Sequence, residues 1–172
     1  MSQRPPLPYE FLPPVPSFAL TSADLTDGGT MPDAQVHAAG NTSPQLSWSG
    51  APAGTLGYAV TCYDPDAPTG SGWWHWLAVN IPAGTTELPA GAGASDGTLP
   101  GGAFHVRNDF PGHRYDGAAP PPGPAHRYAF VVHALDVAEL DLTPDTPAAV
   151  VGFHLTHHAL GRALLTVEYA QP

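Results

Sequence analysis

Lysine is absent from this 172-residue chain, whose only cationic side chains besides histidine are five arginines, set against fifteen Asp and Glu for a formal charge of −10. Such a surface repels nucleic acid, whose recognition needs several Lys or Arg on phosphates. It disfavours anionic lipid headgroups for the same reason. Cysteine occurs once, as Cys62 inside an apolar run, so no internal disulfide can form and the thiol reads as a small buried hydrophobe. No stretch reaches the roughly 18 consecutive apolar residues of a membrane span, and no basic segment precedes an apolar N-terminal core. Stable membrane insertion and a secretory leader are therefore not expected, and a cytoplasmic protein is. Nucleotide-cradling glycine patterns are lacking, so no cofactor is expected. An anion bound by a chain of this charge has to be caught locally.

Proline and glycine, by contrast, are plentiful, at 22 and 19. Six of the prolines fall in residues 1–16, which read as a polyproline-like arm ahead of a single domain over 17–172. Within that domain, strands are expected over Ser17–Ser22, from Val36, and over Leu46–Ser49, where alternation buries Leu46 and Trp48. Gly57–Tyr63 and His126–Asp136 are apolar on both faces and read as central strands, with Trp76–Ile81 as the partner of the first, stopped by Pro82. Residues 85–103 read as one long loop, Phe104–Asp109 as a weak strand, and Ala163–Tyr169 as a closing strand. One helix is expected from Pro147 to about Leu160, capped by Thr146 and stopped by Gly161. Many strands, one helix and Gly/Pro-rich turns predict a mainly β fold, a two-sheet antiparallel β-sandwich with a C-terminal helix on one outer face.

The chemistry gathers at strand ends. Asp64 and Asp66 flank Pro65 where one strand ends, His75 opens the next, and His126 opens the strand after a proline-rich loop. If these ends meet, a carboxylate can orient an imidazole whose other nitrogen donates to an anionic oxygen, with amides near Gly70–Gly72 completing the cradle. The plainer alternative is that both aspartates cap their own turn. Two His and two Asp could also ligate a metal, but no spacing matches a metal motif, and His154-x-x-His157-His158 lacks the glutamate of zinc helices. Ser71 lacks the strand-to-helix elbow of serine hydrolases. Trp73 is expected to line the pocket, and Trp74 and Trp76 the core. The competing functional reading is an enzyme using the same Asp/His set as general acid and base on a small oxygenated substrate.

Several stretches together resemble the phosphatidylethanolamine-binding protein family, in its bacterial, Raf kinase inhibitor-like branch. They are Asp64-Pro-Asp-Ala-Pro-Thr69, His75-Trp-Leu-Ala-Val-Asn-Ile-Pro82, Arg107-Asn-Asp-Phe110 leading to Tyr115-x-Gly117, and Pro120-Pro-Pro-Gly with His126-Arg-Tyr-x-Phe130. The resemblance spans about residues 17–169. It implies a sandwich with a small anion-accepting pocket at one end, lined by Asp64, Asp66, His75, Tyr115 and His126. It also implies a small anionic or phosphorylated ligand, with an unidentified protein partner and a homodimer as further candidates. Ala118 stands where the family usually has proline, a change expected to remove one wall of the pocket mouth.

Overall fold

Runs that are apolar on both faces become the middle of a sheet, because each face must be covered by a layer. The computed structural model describes residues 3–172, and in these the elements are β1 (Ala19–Thr21), β2 (Leu46–Ser49), β3 (Gly57–Asp64), β4 (Trp73–Pro82), β5 (Glu87–Leu88), β6 (Phe104–His105), β7 (His126–Leu135), α1 (Ala148–His158) and β8 (Ala159–Tyr169). Two antiparallel sheets result, one of order β1-β2-β5 and one of order β6-β4-β3-β7-β8. Their inner faces enclose the larger core, where Leu46 and Trp48 of the small sheet meet Val60, Trp76, Phe130 and Leu165 of the large one. On the outer face of the large sheet, Val151 and Leu155 of α1 pack with Leu77, Val79 and Leu135. The protein is thus mainly β, with one C-terminal helix outside the sandwich. No helix among the described residues is long and apolar enough to cross a membrane.

Element ends depart from the sequence reading. The strand expected from Trp76 begins at Trp73, which puts His75 inside β4 rather than at its start. Residues 85–103 contain β5 and two short 3-10 turns, while Phe104–Asp109 shrinks to the two residues of β6. Val36 makes only an isolated bridge, to Ala118. Thr146 does not cap α1: its Oγ1 accepts from Thr143 N, and Pro147 occupies the cap position. Gly161 does not stop the helix either. The chain passes from α1 directly into β8 at Ala159, with Asp136 pinning the junction through His158 Nδ1 at 2.7 Å, and Gly161 lies within the strand.

The proline-rich arm lies along the large sheet's outer face. Arg4 pairs with Glu168, and Arg127 Nη2 donates to Pro5 O at 2.6 Å.

Candidate functional site

Three strand ends of the large sheet supply the site. Asp64 is the last residue of β3, His126 the first of β7, and His75 sits near the start of β4. β4 pairs Trp76 with Cys62 and Trp74 with Tyr63, so His75 is an extra residue with nothing opposite it. A bulge of this kind re-aims a side chain. Here it lets His75 line the same cavity as Asp64 and His126. The connecting loop returns sharply at Gly72 (φ 66°), where a Cβ would fall 2.2 Å from the Tyr63 hydroxyl, so only glycine fits.

The cavity has a volume of about 190 Å³. Asp64, His75 and His126 form its polar part, Trp73 and Phe110 its aromatic walls, and Ala119, Pro120 and Pro121 its far rim. Thr69 reaches it, whereas Gly70 to Gly72 do not line it: that turn closes on itself through Thr69 Oγ1 donating to Gly72 O at 2.6 Å. Ala118 is also off the wall. It is buried and bridged to Val36, so the missing proline leaves the mouth's lining to its three successors.

The two aspartates part company. Asp64 Oδ1 accepts from Asp66 N at 2.7 Å, capping the turn, and Oδ2 faces His126 Nδ1 at 2.7 Å. Burial pushes its carboxyl above the ordinary range, and the His126 bond only partly offsets this. Asp66 does not line the cavity. Its carboxylate accepts from Arg127 N and Nε, both at 2.9 Å, and from Nη2 at 2.8 Å. Burial would raise its pKa, but these bonds win and hold it below the usual carboxylate value. The expected role of Asp66 as a ligand contact is corrected on that ground: its oxygens face arginine.

The histidines differ as sharply. His75 Nδ1 lies 2.8 Å from the carbonyl oxygen of Asp116. A carbonyl can only accept, so Nδ1 carries the hydrogen and Nε2 of the neutral ring is a lone pair. Burial lowers the His75 pKa to about 4, the carbonyl bond opposing it. The neutral ring is therefore the resident form near pH 7, and the expected donor is an acceptor. His126 instead meets a carboxylate through Nδ1, which fixes the orientation of its ring.

Tyr115 is the second correction. Its hydroxyl donates to Gln35 O at 2.8 Å and its ring packs against Trp76 and Phe130, deep in the core and outside the cavity. Its neighbour Asp116, missed in the sequence, organises the site instead. The buried Asp116 carboxylate accepts from Asn108 Nδ2 at 2.8 Å, Asn41 Nδ2 at 3.1 Å and Arg114 Nη2 at 2.9 Å. Asn108 Oδ1 in turn accepts from the amides of Phe110 and Gly112, which fixes the loop carrying Phe110. Phe110 then stacks on His37 and meets Trp73 and His75 edge-on. The signal that could have found this hub is the pair of polar residues, Asn108 and Asp116, flanking the loop. Two buried polar groups at the site have no partner: Trp73 Nε1 and Tyr128 Oη, whose ring packs against His75.

Comparisons agree with this architecture. The family model described as phosphatidylethanolamine-binding protein matches residues 21–170. UPF0098 protein YbhB of Escherichia coli is 47% identical over 156 residues, covering 88% of this chain and 99% of the relative. The crystal structure of E. coli YbcL, described as a new member of the mammalian PEBP family, superposes with a TM-score of 0.88 at 44% identity, covering 91% of this chain and 99% of that one. A Chlamydia trachomatis homologue superposes with a TM-score of 0.76 at 26% identity, over 91% and 99% of the two chains.

Proposed function

The chain belongs to the phosphatidylethanolamine-binding protein family, and on that premise we propose that its end cavity holds a small anionic or phosphorylated ligand. One observation carries the reading: His126 Nδ1 and Asp64 Oδ2 are 2.7 Å apart on the wall of a cavity of about 190 Å³. The carboxylate holds the ring by Nδ1 and leaves Nε2 to meet the ligand; with a hydrogen on each nitrogen the ring makes a charge-assisted bond to a ligand oxygen. Arg127 neutralises Asp66, so a second carboxylate does not oppose the anion. His75 contributes the opposite function, a lone pair on Nε2 that suits a ligand hydroxyl. An oxyanion that keeps one proton, such as a singly protonated phosphate, satisfies both rings.

The test is an NMR titration of the imidazole signals with inorganic phosphate and with O-phosphorylethanolamine. The expected result is a shift at His75 and His126 with either compound and none at the helix residues His154 and His157. A response confined to histidines other than His75 and His126 overturns the reading.

A further inference from the structure

A second, mostly apolar cavity lies elsewhere, on the outer face of the large sheet. There the arm and α1 run side by side and leave a groove of about 340 Å³, within the size range of small-molecule sites. Tyr9 and Leu12 form one wall, Gly152 and Leu155 the other, and His133 and Arg162 the floor. Phe11 and Phe153 stand at its rim, 67% and 70% exposed.

The floor is unusual for its charge. Arg162 is only 5% exposed, yet no described carboxylate lies within an ion-pair distance of it, in a chain with fifteen acids. Arg4, Arg114 and Arg127 each have a carboxylate, and Arg107 is in solvent. Arg162 has one carbonyl, Pro13 O at 3.3 Å, and the Tyr9 ring at 5.3 Å. That leaves most of its five N–H donors without a protein partner. Directly opposite on β7 is His133, whose Nε2 bonds Thr61 Oγ1 at 2.9 Å while Nδ1, buried, has no partner. The Tyr9 ring lies edge-on to His133, with centroids 5.9 Å apart. A buried cation and an unpartnered ring nitrogen beneath apolar walls form a complement for one kind of molecule.

We propose that this groove is a second binding site, for a medium-chain amphipathic carboxylate. The chain would lie between the arm and α1, and the carboxylate would be held by the Arg162 guanidinium with His133 beside it. The apolar lining selects for a tail, and the lone buried cation selects for one negative charge. This site is separate from the end cavity, and neither proposal depends on the other.

Decanoate, below its critical micelle concentration, is the probe, with decanol as the uncharged control and calorimetry as the readout. A dissociation constant on the order of 10–100 μM is expected for decanoate, with decanol about tenfold weaker, the usual worth of a hydrogen bond to a charged group. Arg162→Gln should bring decanoate down to the decanol level. Since that variant alters a buried group, Gly152→Leu provides an independent check: Gly152 lines the groove and a Cβ there meets nothing within 4 Å, so a leucine has open space to start into. Gly152→Leu should fold, keep its phosphate response at His126, and lose decanoate binding at least about tenfold. Equal binding of decanol and decanoate, or decanoate binding untouched by Gly152→Leu, overturns the proposal. So does a dimer that Gly152→Leu splits and that takes up no decanoate, because the groove would then be filled by a second copy.

Discussion

At the end of the large sheet the acids have partners, whereas on its outer face a cation has none. Asp64 faces His126, Asp66 is clamped by Arg127, and Asp116 gathers two amides and an arginine. Across the sheet, the buried Arg162 has one carbonyl and a ring face. The difference teaches where selectivity for a ligand can come from. A paired acid fixes the orientation of its histidine, so the end cavity discriminates by hydrogen-bond pattern. An unpaired buried cation discriminates by charge.

Both regions also hide a neutral histidine, and acid should expose that first and most strongly. Burial lowers the pKa of His75 to about 4 and of His133 to about 3, against about 6.5 in an unfolded chain. A folded value below the unfolded one gives stability that is complete above about pH 6.5 and is lost as the pH falls towards the folded value. Each histidine then contributes a slope of up to about 1.4 kcal/mol per pH unit in that window, and His105 is shifted in the same direction. Urea midpoints between pH 6.5 and 4 should show the decline. His133→Gln should remove one histidine's share from the slope while leaving the end cavity's titration as it was. An unchanged slope would mean that the groove side is open to water.

The next largest effect is expected at the hub. Asp116→Ala strips the Asn108, Asn41 and Arg114 donors of their acceptor and should cost about 3 kcal/mol in urea unfolding. It should also broaden the His75 ring signals, since the carbonyl that orients the ring belongs to residue 116. Decanoate binding should be unaffected. Loss of both ligands together would show that the two regions are coupled.

The two loop aspartates can then be separated. Asp66→Asn breaks a bidentate pair with Arg127 and should lower stability by about 2 kcal/mol, with phosphate affinity changed less than about twofold. Asp64→Asn should do the reverse, weakening phosphate about tenfold through the loss of the carboxylate that orients His126. Calorimetric titration of both variants with phosphate checks the pair. If Asp66→Asn weakens phosphate more than Asp64→Asn, the assignment of binding to Asp64 fails.

How much of this was legible in the sequence depends on whether a local pattern or a distant partner decides each feature. The strands β3, β4 and β7 were legible because each is an apolar run bounded by proline, glycine or a charge. Strand ends could be placed within a few residues, which was enough to bring Asp64, Trp73, His75 and His126 to one end of the sheet. The direction of Asp66 was not legible, because it is set by Arg127, sixty-one residues on. Tyr115 and Asp116 were equally opaque. In an extended segment neighbours point to opposite sides, and nothing local tells which side is the core. The helix pattern was clear, but its boundaries failed. Thr146 was already engaged with Thr143, and Gly161 is held in β8 opposite Ala134. The groove was invisible altogether, since its walls come from the two ends of the chain.

The smallest predicted effect bears on that groove. Gly152 sits in the middle of α1, where glycine is worse than alanine by about 1 kcal/mol. Its position does not require glycine for backbone reasons: the residue is helical, and a Cβ would meet nothing within 4 Å. Gly152→Ala should therefore raise stability by about 1 kcal/mol, read from the urea midpoint, and leave phosphate affinity unchanged. At the groove, one methyl should weaken decanoate by only a few-fold, less than the leucine does. A graded loss from Gly to Ala to Leu, with stability rising from Gly to Ala, would show that the helix gives up stability at a position where a side chain would narrow the groove. A loss of stability in Gly152→Ala would show instead that the arm closes on the helix in solution and that the groove is narrower than 340 Å³.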